Sequence, residues 1–207
     1  MAAYMKTAMP FYGVPKPARA EIFREFKRHF DISNRKEYER AVTSFWRLAH
    51  REEKYFALDV ARSWSDFIVP DSMRLYRRLI EEGAWWDTVD EVAAHLVGTV
   101  LLHHREQIAP MMDRWIESPD MWIRRAAIIS QLRHKDQTDH LRLFRYSLAQ
   151  GAEKDFFIRK AIGWALRQYA YTAPGRVREF ITRNRNRLSP LTYREASRVL
   201  IKQGVMA

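Results

Sequence analysis

The sequence predicts an all-α protein built as a solenoid of paired helices. Three observations carry this. Apolar residues recur at three- and four-residue spacing along most of the chain, Gly and Pro are scarce, and one pattern returns every 35 residues. Gly and Pro number 7 and 8 among 207 residues, too few for the many turns of an all-β protein. An apolar fraction of 47% excludes a disordered chain. A single domain over residues 1–207 is expected, large enough to bury a core without a metal or disulfide staple.

The elements follow in order. Residues 18–30 set Ile22, Phe23, Phe26 and Phe30 at helical spacing, and residues 36–49 do the same with Tyr38, Val42, Phe45, Trp46 and Ala49. Further helices are predicted near 51–64, 71–82, 86–103, 106–117, 120–134, 137–150, 154–171, 175–185 and 190–202. Pro70, Pro119, Pro174 and Pro190 fall where a helix should begin. Ser33-Asn34, Ser118 and Ser189 are candidate N-caps.

The repeat is carried by Trp122-Ile-Arg-Arg-Ala126, Phe157-Ile-Arg-Lys-Ala161 and Thr192-Tyr-Arg-Glu-Ala196. Arg124, Arg159 and Arg194 are 35 residues apart, and one step back from Arg125 lands on Asp90. A period of this length in paired helices is the mark of an α-solenoid. The Leu-Gly and Pro marks of tetratricopeptide repeats do not recur, so irregular HEAT-like pairs fit better. Such stacks curve, and Asp90, Arg125 and Lys160 should line up across neighbouring helices on a concave face. Ionisable residues at three equivalent positions suggest a groove.

Charge gives the first indication of function. The formal net charge is +11, and residues 104–207 hold +10 of it. Arg supplies 27 of the 36 basic residues, and its planar fork suits phosphate. A basic concave face therefore points to nucleic acid, gripped by its backbone rather than read by its bases. The basic residues are dispersed rather than set beside one apolar face, which argues against a membrane surface. No apolar run approaches a membrane span, and the N-terminus lacks a signal-peptide apolar region, so a soluble cytoplasmic protein is expected. With no Cys, thiolate metal sites and Cys nucleophiles are excluded. The seven His show no metal-ligand spacing, and no phosphate loop, dinucleotide turn or Ser elbow occurs, so neither metal nor cofactor is expected.

Trp86 and Asp90 are four residues apart and share a helix face, where a carboxylate beside an indole could be desolvated and aimed at a cation. Trp85 and Trp86 could equally be core, and Asp90 could be half of a salt bridge. Trp164 follows Gly163, whose place inside a helix suggests close packing or ligand approach.

These residues resemble the AlkD-like DNA alkylation-repair glycosylases, built of HEAT-like repeats, over nearly the whole chain. The segments that carry the resemblance are Tyr4-Met-Lys with Pro10-Phe-Tyr-Gly-Val14, Trp85-Trp-Asp-Thr-Val-Asp90, Met121-Trp-Ile-Arg-Arg-Ala-Ala-Ile128, Phe156-Phe-Ile-Arg-Lys-Ala-Ile-Gly-Trp164 with Arg167, and Leu188-Ser-Pro-Leu191 with Arg194-Glu-Ala196. The resemblance implies hydrolysis of the N-glycosidic bond of cationic N3- and N7-alkylated purines in duplex DNA, with the lesion left largely stacked. It implies Asp90 as the catalytic carboxylate, Trp86 and Trp164 as groove tryptophans, Arg125 near the lesion and Tyr4 near the site. DNA contacts are expected from Tyr4, Lys16, Arg19, Arg124, Arg133, Lys135, Arg159 and Lys160, in a monomer. The helix that usually precedes the Tyr-Met-Lys segment in this family has no counterpart in the three residues before Tyr4.

Overall fold

The computed structural model describes residues 2–206, all of whose regular elements are helical. They form two compact units, residues 1–75 and 76–207.

The first unit holds α1 (Ala2–Met5), α2 (Lys16–His29), α3 (Arg35–Trp46) and α4 (Arg51–Ser63), then short 3-10 turns at Ser65–Phe67 and Pro70–Ser72. Asn34 caps α3, its side chain accepting from the Glu37 amide. Tyr38, Val42 and Trp46 of α3 bury against Ala57, Leu58 and Ala61 of α4, and the Tyr38 hydroxyl donates to the Ala61 carbonyl at 2.9 Å. Phe23 and Phe26 of α2 join this core edge-on to Phe56, at 5.3 Å each. Ile22 and Phe30, expected on the same face, are more than half exposed. Phe30 falls beyond the end of α2, where it stacks on Phe26.

Buried Glu52 holds the segment before α2. Its carboxylate accepts from the amides of Gly13 at 2.8 Å and of Tyr12 and Val14 at 3.1 Å. Burial pushes this carboxyl up, and the backbone donors outweigh that to leave it below the usual range. Gly13, at φ +83°, occupies the left-handed region that a side chain would strain.

The second unit begins within α5 (Met73–Gly83) and continues through α6 (Trp86–Glu91), a π turn (Val92–Val97), α7 (Gly98–His103), α8 (Arg105–Trp115), α9 (Met121–Ile129), α10 (His140–Ala149), α11 (Phe156–Ala170), α12 (Pro174–Arg183) and α13 (Pro190–Lys202). One layer stacks α6–α7, α9, α11 and α13, and the other carries α8, α10 and α12. This pairing of helices along a stack is solenoid-like, as the 35-residue period predicts. Asp120, Asp139, Asp155 and Ser189 cap α9, α10, α11 and α13 through their side chains. Ser118, expected as a cap, lies two residues early and accepts from the Asp120 amide instead. Helix α9 ends at Ile129 rather than near 134, because residues 130–134 turn and aim His134 at α7.

The second layer has its own polar tie. Arg142 of α10 donates to Asp113 of α8 at 2.9 and 3.1 Å, and the Tyr146 hydroxyl donates to the same carboxylate at 2.6 Å. The Arg142 guanidinium holds the Asp113 carboxyl at about 2. No helix is long and apolar enough to cross a membrane among the described residues.

Candidate active site

The site is assembled on α6, α9 and α11. Trp85 is the N-cap of α6, and Ala84 before it takes φ +36°, which turns the chain sharply out of α5. Asp90 therefore sits in the second turn of a short helix, and the π turn starts two residues later. The π geometry shows in the Gly98 amide, which bonds back to the Ala93 carbonyl five residues earlier. Two contacts accompany it. A side chain at Gly98 would collide with the Ser130 carbonyl of the neighbouring repeat, and the Gly98 carbonyl lies 2.8 Å from His134 Nε2. Single π turns of this kind recur at functional sites.

Asp90 and Arg125, one repeat apart, meet side on. Arg125 Nε donates to Asp90 Oδ1 and Nη2 to Oδ2, both at 2.7 Å. The remaining terminal nitrogen, Nη1, donates to the Phe157 carbonyl at 2.5 Å. One guanidinium thus ties α6, α9 and the start of α11. It is 3% exposed, and an aromatic cluster of Trp85, Trp122 and Phe157 packs nearby, with ring centroids 5.1–6.1 Å apart. Planar, two-pronged pairing is the strong form of an ion pair, and Lys could not reproduce it.

The Asp90 side chain keeps 16% of its surface open. Burial pushes its carboxyl above the usual range. Arg125 pulls it back part of the way, while Asp87 and Glu91 push it further up. The open side faces a cleft of about 230 Å³ lined by Asp90, Glu91, Ala94, His95, Leu132, Arg133, Trp164 and Gln168. Asp90 and Trp164 therefore share one cavity across α6 and α11. A second cavity, about 170 Å³, adjoins it through Leu132 and Gln168 and reaches Lys135, Thr138 and Tyr169.

The expected residues are distributed as follows. Asp90, Trp164 and Arg133 line the cleft. Arg125 lies beneath Asp90 rather than open to the cleft, and Trp86 is half-buried one turn before Asp90 and does not line it. Arg124 folds back on the Ser118 and Pro119 carbonyls at 2.9 and 3.0 Å and on Glu153 at 3.4 Å. Arg159 lies over the Asp155 carbonyl, and Lys160 pairs with Glu195 at 2.7 Å. Lys135 is exposed at φ +52°. In the first unit, Tyr4 and Lys16 are exposed, and Arg19 pairs with Asp59 at 3.1 Å and covers the Tyr55 ring at 4.8 Å.

Sequence reasoning missed His95, Glu91 and Gln168 as cleft residues, and Glu195 altogether. His95 Nε2 is 3.6 Å from Glu91. The signal for Glu195 was present, since it is the next 35-residue step after Asp90, Arg125 and Lys160. No group of three or more His, Asp or Glu is placed to hold a metal ion among the described residues.

Comparison with known proteins agrees with this architecture. No curated protein matches the chain. A solved structure from Enterococcus faecalis, described as a predicted DNA alkylation repair enzyme, is similar at 29% identity and a TM-score of 0.89, covering 98% of this chain and 93% of that one. The family profile of DNA alkylation repair enzymes matches residues 1–200. The chain, with its stacked helix pairs and its Asp90–Arg125 centre, belongs to the DNA alkylation repair enzyme family.

Proposed function

We propose that the chain is a DNA glycosylase that hydrolyses the N-glycosidic bond of cationic N3- and N7-alkylated purines in duplex DNA, the first step of base excision repair. The observation that carries this reading is a largely buried carboxylate, Asp90, braced from below by Arg125 and facing Trp164 across a cleft in a strongly basic chain.

The chemistry follows from charge. An alkylated purine is already positive, so it leaves without an acid to protonate it. Heterolysis sends the C1′–N electron pair to the base, which becomes neutral, and positive charge appears on the deoxyribose. A preorganised carboxylate stabilises that charge where water is scarce. Each Asp90 oxygen spends one acceptor position on Arg125 and retains another for the cleft. Arg125 has two effects: it fixes the carboxylate geometry and keeps it ionised against burial. The Trp164 indole supplies a π face for the electron-poor sugar. Water then adds to C1′, loses a proton and leaves an abasic site.

In this reading the lesion stays largely stacked and is approached from the backbone, so bulky adducts are tolerated. Arg133 and Lys135, both exposed, supply phosphate contacts beside the cleft. The competing reading, a DNA-binding scaffold without catalysis, uses Asp90–Arg125 as a strut between repeats. Incubation with duplex DNA containing N7-methylguanine separates the two. Release of the free base with matching abasic sites, above the spontaneous rate, is the expected result. Tight binding with no release would leave the scaffold.

A further inference from the structure

Two repeats along from the Asp90–Arg125 pair, the α11–α13 junction also buries an acid, with a different set of partners. Glu195 of α13 is 1% exposed. Lys160 Nζ lies 2.7 Å from its Oε1, Arg198 Nη2 lies 3.3 Å from the same oxygen, and Arg167 Nη1 donates to Oε2. One acid thus gathers three cations. Their side chains remain 36%, 59% and 23% exposed in the order Lys160, Arg198, Arg167, so the cluster presents a net positive charge to solvent.

The positions on α11 give this cluster a direction. Lys160, Trp164 and Arg167 are spaced i, i+4 and i+7, one stripe of a helix. At about 100° per residue, Lys160 and Arg167 both fall on the α13 side of Trp164, about 40° and 60° away. Gln168 falls on the opposite side and lines the Asp90 cleft. Trp164 is therefore flanked by the cleft on one side and by the cations on the other. Gly163 makes the arrangement possible. A side chain there would meet Glu195 Cβ at 2.5 Å and the Thr192 carbonyl at 3.0 Å, so only glycine lets α13 bring its acid into contact with α11.

We infer that Glu195 is a positioning residue that holds Lys160, Arg167 and Arg198 as a preformed site for a phosphodiester of the strand lying along Trp164. A surface Lys or Arg must be immobilised when it meets phosphate, and a buried carboxylate that has already fixed it removes that cost. Three cations about one acid leave an excess that an anion completes, which a simple structural pair would lack. The inference rests on the DNA-binding reading above.

Charge and positioning predict opposite outcomes for Glu195→Gln, which makes the test decisive. The variant raises the net charge by one, so unaided electrostatics would tighten binding to DNA. Loss of positioning weakens it. Binding of a fluorescently labelled undamaged duplex is measured by anisotropy against salt concentration, with melting temperature as the check on folding. Glu195→Gln is expected to bind about fivefold more weakly, the equivalent of about 1 kcal/mol. Glu195→Asp, which keeps the charge, restores most of the loss. Lys160→Met and Arg167→Met, at partly exposed positions, each lower the log–log salt slope by about 1. Binding of Glu195→Gln at or above wild type overturns the inference. So do unchanged slopes for both Met variants, even where the Gln variant fails to fold. Wild-type protein that shows no salt-dependent binding overturns the DNA reading itself.

Discussion

The α6–α9 and α11–α13 junctions occupy equivalent rungs of the same repeat, and each buries an acid, yet they resolve the cost of burial in opposite ways. At the first, Asp90 meets one guanidinium through two 2.7 Å bonds. Burial wins there, and the carboxyl sits above its usual range. At the second, burial also pushes Glu195 up, but Lys160, Arg167 and Arg198 together outweigh it and leave the carboxyl below its usual range. The first acid stays partly open to a cleft; the second is surrounded by three cations. Sequence position alone makes the two look alike. The balance between local burial and the cations within reach sets the direction in which each carboxyl is shifted.

The largest expected effect lies at the first junction. Asp90→Asn should lower base release by about 10²–10³, the usual cost of removing one preorganised electrostatic group. DNA binding should hold or tighten, because a negative charge has left a basic surface. Near-wild-type excision by Asp90→Asn would sink the mechanism. The matching change at the other junction, Glu195→Gln, should cost affinity rather than the chemical step.

Removal of the cation rather than the acid sharpens the contrast. Arg125→Ala leaves Asp90 buried with no counter-charge, and breaking such a pair from one side costs about 3–5 kcal/mol. The residual opening of Asp90 places the expectation near the lower figure. Lys160→Ala leaves Glu195 with Arg167 and Arg198, so it should cost under about 1 kcal/mol. Denaturant melts of the two variants test this directly. Equal losses would mean that the second junction has no redundancy.

Trp164 should give a smaller effect. It is half-buried and lines the cleft, where the proposed mechanism sets its indole against the sugar. Trp164→Ala should reduce excision about tenfold, or about 1.4 kcal/mol, through the lost π face. Its melting temperature should fall by only a few degrees. A drop of the size seen on emptying a core Trp site, about 3–5 kcal/mol, would move Trp164 from the cleft into the packing.

Much of this architecture was readable in the sequence, for identifiable reasons. Helical periodicity and Pro placement located the eleven long helical segments, because a buried face must repeat at 3.6 residues whatever its neighbours are. The 35-residue step put Asp90 and Arg125 at equivalent positions, since identical repeats stack identically. Three things were not readable. The step could not say that Arg125 would turn its fork onto Asp90, because a helix-surface Arg has several rotamers and the choice is made by the Phe157 carbonyl and the neighbouring repeat. The π turn after Asp90 has no sequence pattern of its own, and it is accompanied by contacts to Ser130 and His134 from the next repeat. Arg124 is expected from the sequence as a DNA contact, but the carbonyls left by the Ser118–Pro119 turn fold it back. For Arg125 the deciding acceptor comes from the next repeat, and for Arg124 it is a turn five to six residues back in its own chain segment.

The subtlest expected effect uses pH to separate the two junctions in one protein. In the proposed mechanism, excision requires Asp90 ionised. Its carboxyl lies above the ordinary range, so on acidification it takes up its proton earlier than a free Asp would, near 3.9. Glu195 lies below its ordinary range and holds its charge to lower pH. Descending pH should therefore cross a window where Asp90 is neutral while the Glu195 cluster remains intact. In that window the protein binds duplex DNA but does not release base. The buried His134 also titrates on the way. Burial holds the His134 ring down at about 4 against an ordinary 6.5. Its folded form resists protonation, so its contribution to stability is complete above about pH 6.5 and declines as pH falls toward 4. The full decline is worth roughly 3 kcal/mol. Melts at each pH distinguish this loss from the titration of Asp90. The expected record is an acid limb for excision at higher pH than the limb for binding, with the protein folded between them. Coincident limbs would mean that the two acids titrate alike, and the difference between the junctions would then be one of geometry alone.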